Sequence, residues 1–188
     1  MFRIFSKCSR RFVAGALFVT WLAGAAFAPA QTPDPLSAEV KWMYGTIKNN
    51  LIKLAEKMPA EDYSFRPTPE VETFGRRVAH IADANMNVCT GLKGERKPLG
   101  AASKTSKTEL VAALKESFDY CDGVFNSLTD VTAREMVSSR LGGPFPPEPT
   151  RSRLATLYNL VRHSNEMYGY MAVYLRLKGI VPPTSAPE

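Results

Sequence analysis

Two histidines, His80 and His163, are the only imidazoles in the 188 residues, and Met167 follows the second by four positions. Neutral imidazole nitrogen is a common metal ligand. Residues four apart on a helix share one face, so His163 and Met167 would stack. Such a pair facing a histidine from another helix is a recurring way to build a metal centre inside a bundle. Two imidazoles still need a third donor or several waters. The bland alternative is equally physical. A lone histidine in an apolar stripe usually makes one hydrogen bond, and methionine is a common gap-filler in cores.

Other reactive residue types give less. Of Cys8, Cys89 and Cys121, no two form a C-x-x-C pair, and there is no C-x-x-C-H haem-attachment motif and no G-x-S-x-G nucleophile setting. On a helix with about 100° per residue, Cys89 lies on the flank opposite His80. The two therefore do not serve one cluster. Asp83 and Glu166 project about 60° from their neighbouring histidines, toward the polar side, and read as solvated charge. Haem between His80 and Met167 is a weaker possibility, since His163 and Met167 share a helix face and cannot flank one iron.

Four amphipathic segments must position these groups. The first spans about 35–58, with Asp34 as a candidate N-cap and Pro35 at the first helical position. Its stripe is Val40, Tyr44, Ile47, Leu51, Leu54 and Met58. The second spans about 74–92 behind Thr73, with Val78, Ile81, Asn85, Val88 and Leu92 on one side. His80 lies at the flank of that apolar arc. Ser106-Lys107-Thr108-Glu109 fits a capping box and opens the third, to about Leu128, carrying Leu110, Leu114, Phe118, Cys121 and Phe125. The fourth spans about 151–178, ending before Gly179 and Pro182-Pro183. Leu160, His163, Met167, Met171 and Tyr174 form its inward stripe. Residues 129–150 read as irregular, with a short helix near 133–139. No alternation is long enough to build a sheet. The expectation is all-α, a four-helix bundle.

The N-terminal segment has a different character. Arg3, Lys7, Arg10 and Arg11 precede an apolar run from Phe12 to Phe27 and the small-residue site Ala28-Pro29-Ala30. That is the layout of a signal peptide, residues 1–30, cleaved on export to a periplasmic or secreted location. The apolar run is shorter than the ~20 residues of a spanning helix, so no stable membrane span is expected after cleavage. The whole chain has 24 Lys+Arg against 18 Asp+Glu. Residues 1–30 hold four of those bases and no acid, so residues 31–188 are nearly neutral. No nucleic-acid surface follows from such a balance. The remaining 158 residues suit one domain. Cys89 and Cys121 stay in it, an even number in an exported chain, so a disulfide is possible.

Several segments, in order and spacing, resemble the DinB/YfiT-like superfamily. They are Trp42 with Leu54-Ala55-Glu56-Lys57-Met58-Pro59, then Tyr63 through Glu70, then Thr73-Phe74-Gly75 leading to Val78-Ala79-His80-Ile81-Ala82-Asp83. Val161-Arg162-His163 with Glu166, Tyr168 and Gly169, and the ending Tyr174 to Pro183, complete the pattern. The likeness covers about 36–183. It implies up-down-down-up topology and a divalent-metal site (Zn, Ni or Mn) from one His on the second helix and a His-x-x-x-His pair on the fourth. These positions fall on His80, His163 and Met167, so the third ligand departs from the family pattern. Zn²⁺, Ni²⁺ or Mn²⁺ would gain little from a thioether, whereas Cu(I) would accept a His/His/Met set. The order of expectation is a vestigial or weak metal site first and copper last. With members that include thiol-dependent transferases and isomerases, and many with no assigned activity, the likeness implies at most a metal-dependent transferase or hydrolase. Catalytic residues and the small-molecule ligand stay unknown, and a metal-free binding or scaffold bundle, monomeric or a homodimer, is the alternative. The parallel second and third helices of that fold would place Cys89 and Cys121 at similar heights, which makes their bridge feasible.

Overall fold

The computed structural model describes residues 34–138 and 150–186. Residues 1–30, where a signal peptide was expected, and the stretch 142–147 lie outside the described residues. Four helices dominate: α1 (Pro35–Lys57), α2 (Phe74–Leu92), α3 (Lys107–Asn126) and α4 (Arg153–Leu177). No described helix is long and apolar enough to cross a membrane.

Helix directions follow from the cross-helix contacts. Gly75, Asn85 and Cys89 of α2 meet Leu110, Ser117 and Cys121 of α3, in rising order, so these two helices are parallel. Lys41, Tyr44 and Lys48 of α1 meet Asn126, Asp122 and Asp119 of α3 in falling order, so α1 and α3 are antiparallel. On the other side Arg77 and His80 of α2 meet Met167 and His163 of α4, again antiparallel. The result is up-down-down-up, with α1 beside α3 and α4, and α2 beside both as well.

The apolar stripes close on one core. Leu51, Leu54, Met58, Phe74, Val78, Ile81, Leu114, Phe118, Phe125, Leu157, Met171 and Leu175 are all buried. Each such aliphatic or aromatic side chain contributes about 1.5–3 kcal/mol by leaving water. Tyr44 stacks on Phe125 with ring centroids 3.7 Å apart, and its hydroxyl donates to the Phe118 carbonyl and reaches Asp122 Oδ1, both at 2.9 Å. Burial, then the Asp122 contact, pushes that phenol far above its ordinary pKa, so it remains a donor. At the start of α2, a Cβ on Gly75 would meet the Tyr63 carbonyl at 3.1 Å and Leu110 Cδ1 at 3.2 Å. Only glycine allows that close crossing without a shift. Cys89 and Cys121, both fully buried, are joined across α2 and α3 with Cα atoms 5.4 Å apart.

Three local expectations are corrected. Asp34 does not cap α1 through its side chain and sits in the left-handed region, φ 65°. The cap comes from far along the chain. Asp130 accepts from the Ser37 N–H at 2.8 Å, the Ser37 hydroxyl at 2.9 Å and the Leu36 N–H at 3.3 Å, while Asp34 Oδ1 accepts from the Asp130 N–H. Where a short helix was expected over 133–139, the described residues, up to Ser138, form no α-helix. A 3-10 turn (Thr132–Arg134) leads into β1 (Met136–Ser138), which pairs antiparallel with β2 (Thr150–Ser152), so a two-stranded ribbon exists where none was expected. Val137, β-branched, suits that extended pairing better than a helix. Asp83 is not merely solvated charge. Its carboxylate accepts from the Ala101 and Ala102 N–H groups at 2.8 and 2.9 Å and fastens the α2–α3 connection to α2.

Candidate functional site

His80 and His163 are brought together by the antiparallel pairing of α2 and α4. Both helices start on side-chain caps: Thr73 accepts from the Arg76 N–H, and Ser152 from the Ala155 N–H. These fix where each helix begins and hence its rotational phase. His80, on the flank of the α2 apolar arc, is exposed, and His163, on the edge of the α4 stripe, is half-buried. Their Nε2 atoms stand 3.1 Å apart, with ring planes at 63°.

That distance has a strict chemical meaning. Two imidazole nitrogens 3.1 Å apart cannot both turn lone pairs, or both turn N–H groups, toward each other without repulsion. Something positive has to lie between them, either a single shared proton or a cation bound by both. For the proton, one ring donates from Nε2 and the other accepts, which fixes opposite tautomers. For a cation, 3.1 Å is within the span subtended by two metal–nitrogen bonds of about 2.0–2.1 Å. Burial, then the neighbouring His80, holds the His163 imidazole below its ordinary pKa; Glu166 pulls the other way, and Arg162 adds the smallest effect, a lowering one. Its neutral form, the one that accepts a proton or ligates a metal, is thereby favoured.

Met167 stands one helical turn beyond His163 and is buried, 5% exposed. Its sulfur faces a group that spacing alone did not single out. Arg77, one turn before His80 on α2, reaches the thioether with Nη1 at 4.0 Å from Sδ. The same guanidinium lies over the Tyr170 ring, 5.5 Å from its centroid, and its Nε stands 3.7 Å from Glu72 Oε2. Only the antiparallel register makes Arg77 a neighbour. Positions 77 and 80 run down α2 as 167 and 163 run up α4. The available signal was that Arg77 precedes His80 by three residues, a same-face spacing.

Among the described residues no three His, Cys, Asp or Glu side chains converge as a metal-binding group. The donor set therefore fits a two-imidazole clamp and does not fit a tight three-ligand site for a hard or borderline divalent ion. Position 167 holds a soft thioether with the Arg77 guanidinium against it. Glu166 is engaged with Arg162 at 3.5 Å and with the Tyr170 hydroxyl at 3.1 Å, and Asp83 with backbone, so neither carboxylate is brought to the pair.

Comparison with known proteins agrees with this architecture. A DinB-like protein of Bacillus cereus superposes with a TM-score of 0.59 at 18% identity, over 78% of this chain and 95% of its own. A DinB-like protein of Bacillus subtilis gives 0.56 at 17%, over 75% and 92%. A conserved protein of Enterococcus faecalis gives 0.60 at 12%, over 75% and 95%. At these identities the likeness establishes the fold. No curated protein matches the chain. A sequence profile of the DinB superfamily matches residues 44–171, from Tyr44 in α1 to Met171 in α4, and the chain belongs to that superfamily.

Proposed function

We propose that this chain is an exported DinB-superfamily protein whose metal centre is degenerate, with His80 and His163 as the two remaining imidazole ligands and Met167 in the place of the third. The observation that carries the reading is the 3.1 Å approach of two Nε2 atoms from residues 83 positions apart, the only two histidines of the chain. Export is supported by the basic-then-apolar N-terminal sequence with its Ala28-Pro29-Ala30 site and by the Cys89–Cys121 bridge, a bond that persists in oxidising compartments.

With two neutral donors and a thioether, such a centre binds Zn²⁺, Ni²⁺ or Mn²⁺ only weakly, and Cu(I) is the ion whose softness suits the set. A bound ion would supply Lewis acidity with several positions open to water or substrate. No catalytic step is derived through it, because the donor set does not fit a tight site. The second reading is a metal-free binding or scaffold bundle, favoured by the guanidinium of Arg77 lying against Met167. Metal analysis of protein purified from its own compartment separates the two. Sub-stoichiometric metal that disappears in His80→Ala supports the degenerate centre. A complete absence of metal, with no Zn²⁺, Ni²⁺ or Cu(I) uptake in titration, overturns it in favour of the metal-free bundle.

A further inference from the structure

We propose that Arg77 is a specificity-determining residue that keeps divalent cations off the His80–His163 pair, its guanidinium standing as a fixed positive charge beside the third-ligand position. This rests on the reading of the pair as the remainder of a metal centre. The placement is built in by several contacts. Arg77 Nη1 touches Met167 Sδ at 4.0 Å, the cation lies over the Tyr170 ring, and Glu72 draws Nε from 3.7 Å. The Nε hydrogen is buried without a hydrogen-bond acceptor, so charge and ring contact hold the group rather than directed bonding. The side chain is only 21% exposed, which limits how far it can swing into water. The exchange at position 167 and the cation at 77 therefore work together. A thioether tolerates an adjacent guanidinium. An imidazole there would share its lone pair with that N–H, which weakens a third metal ligand without removing it.

The test is a Zn²⁺ titration by calorimetry on the disulfide-bonded mature chain, residues 31–188. Glu72→Gln is included in every variant, so that a carboxylate released from Arg77 cannot itself become a ligand. Met167→His is compared with Met167→His/Arg77→Met and Met167→His/Arg77→Lys. Even in a solvent-like dielectric, removing one positive charge about 6 Å from a divalent ion is about a tenfold effect. The expected result is that Arg77→Met raises Zn²⁺ affinity about tenfold or more above Met167→His. Arg77→Lys, which keeps the charge, leaves it within about threefold. Tyr170→Leu, which loosens the guanidinium without removing it, gives an intermediate gain and guards against misfolding of the Arg77 variants. Equal affinities with and without Arg77, or an equal gain from Arg77→Lys, overturn the proposal while the degenerate centre stands. No Zn²⁺ binding by any folded variant overturns both.

Discussion

The Cys89–Cys121 bridge makes the most quantitative prediction about stability. It ties α2 to α3 across 32 residues of chain with Cα atoms 5.4 Å apart, within the range a disulfide needs. Closing a loop of that length in the unfolded chain removes entropy worth about 3.7 kcal/mol at 25 °C in the chain-entropy relation. Domains of this size are stable by about 5–15 kcal/mol in all, so the bridge is a large share. The perturbation is reduction, which leaves the side chains otherwise unchanged. The assay is urea unfolding followed by far-ultraviolet circular dichroism, with and without a strong reductant. For a urea m-value of about 2 kcal/mol/M, the midpoint falls by nearly 2 M. The m-value itself rises, because the reduced unfolded chain exposes more surface. Cys89→Ala/Cys121→Ala reproduces the loss with a further packing cost, since both sulfurs are fully buried. A reductant-dependent change below about 1 kcal/mol would refute the entropic reasoning. Alkylation of Cys89 or Cys121 in unreduced protein would refute the bridge itself.

Three further outcomes are expected. Asp130→Ala lowers the urea midpoint, because the α1 N–H groups of Leu36 and Ser37 lose their acceptor. Desolvation tends to raise the Asp130 pKa, but the Ser37 and Leu36 hydrogen bonds outweigh it and hold the carboxyl below its ordinary value. Its contribution is thus present above about pH 3.9 and is lost as pH falls through the folded-state value, so the gap between wild type and Asp130→Ala closes in acid. Tyr44→Phe removes a buried hydroxyl bonded to Phe118 and Asp122 and costs about 1–2 kcal/mol by the same urea assay, with the Phe125 stacking retained. In protein from its own compartment, His80→Ala removes whatever metal co-purifies, as elemental analysis of the two proteins side by side will show.

Much of the fold and the two histidines of the site were legible from local pattern, whereas contacts set by distant parts of the chain were not. The stripes Val40 to Met58 on α1 and Leu110 to Phe125 on α3 are buried as their spacing requires, because helical phase is a property of neighbouring residues. The α4 stripe likewise brought His163 to a half-buried edge, and the flank position of His80 agrees with its exposure. What escaped was set by distant parts of the chain. Asp34 had the composition of a cap, but Asp130, 93 residues from Ser37, won the Ser37 N–H. Asp83 projected to the polar side and still found two backbone donors in the α2–α3 connection, 18 and 19 residues on. The ribbon of β1 and β2 is three residues a strand, too short for alternation to register. Arg77 was invisible for the same reason as Asp130. Its contact with Met167, 90 residues on, exists only through the antiparallel register of α2 and α4.

The central claim is that His80, His163 and position 167 are one metal site with one ligand changed. Zinc titration of the Met167→His variant beside wild type tests it most directly. A third imidazole one turn beyond His163 is predicted to raise Zn²⁺ affinity clearly above wild type, and the gain should vanish when His80→Ala is added. An unchanged affinity, or a gain that survives the loss of His80, would contradict it.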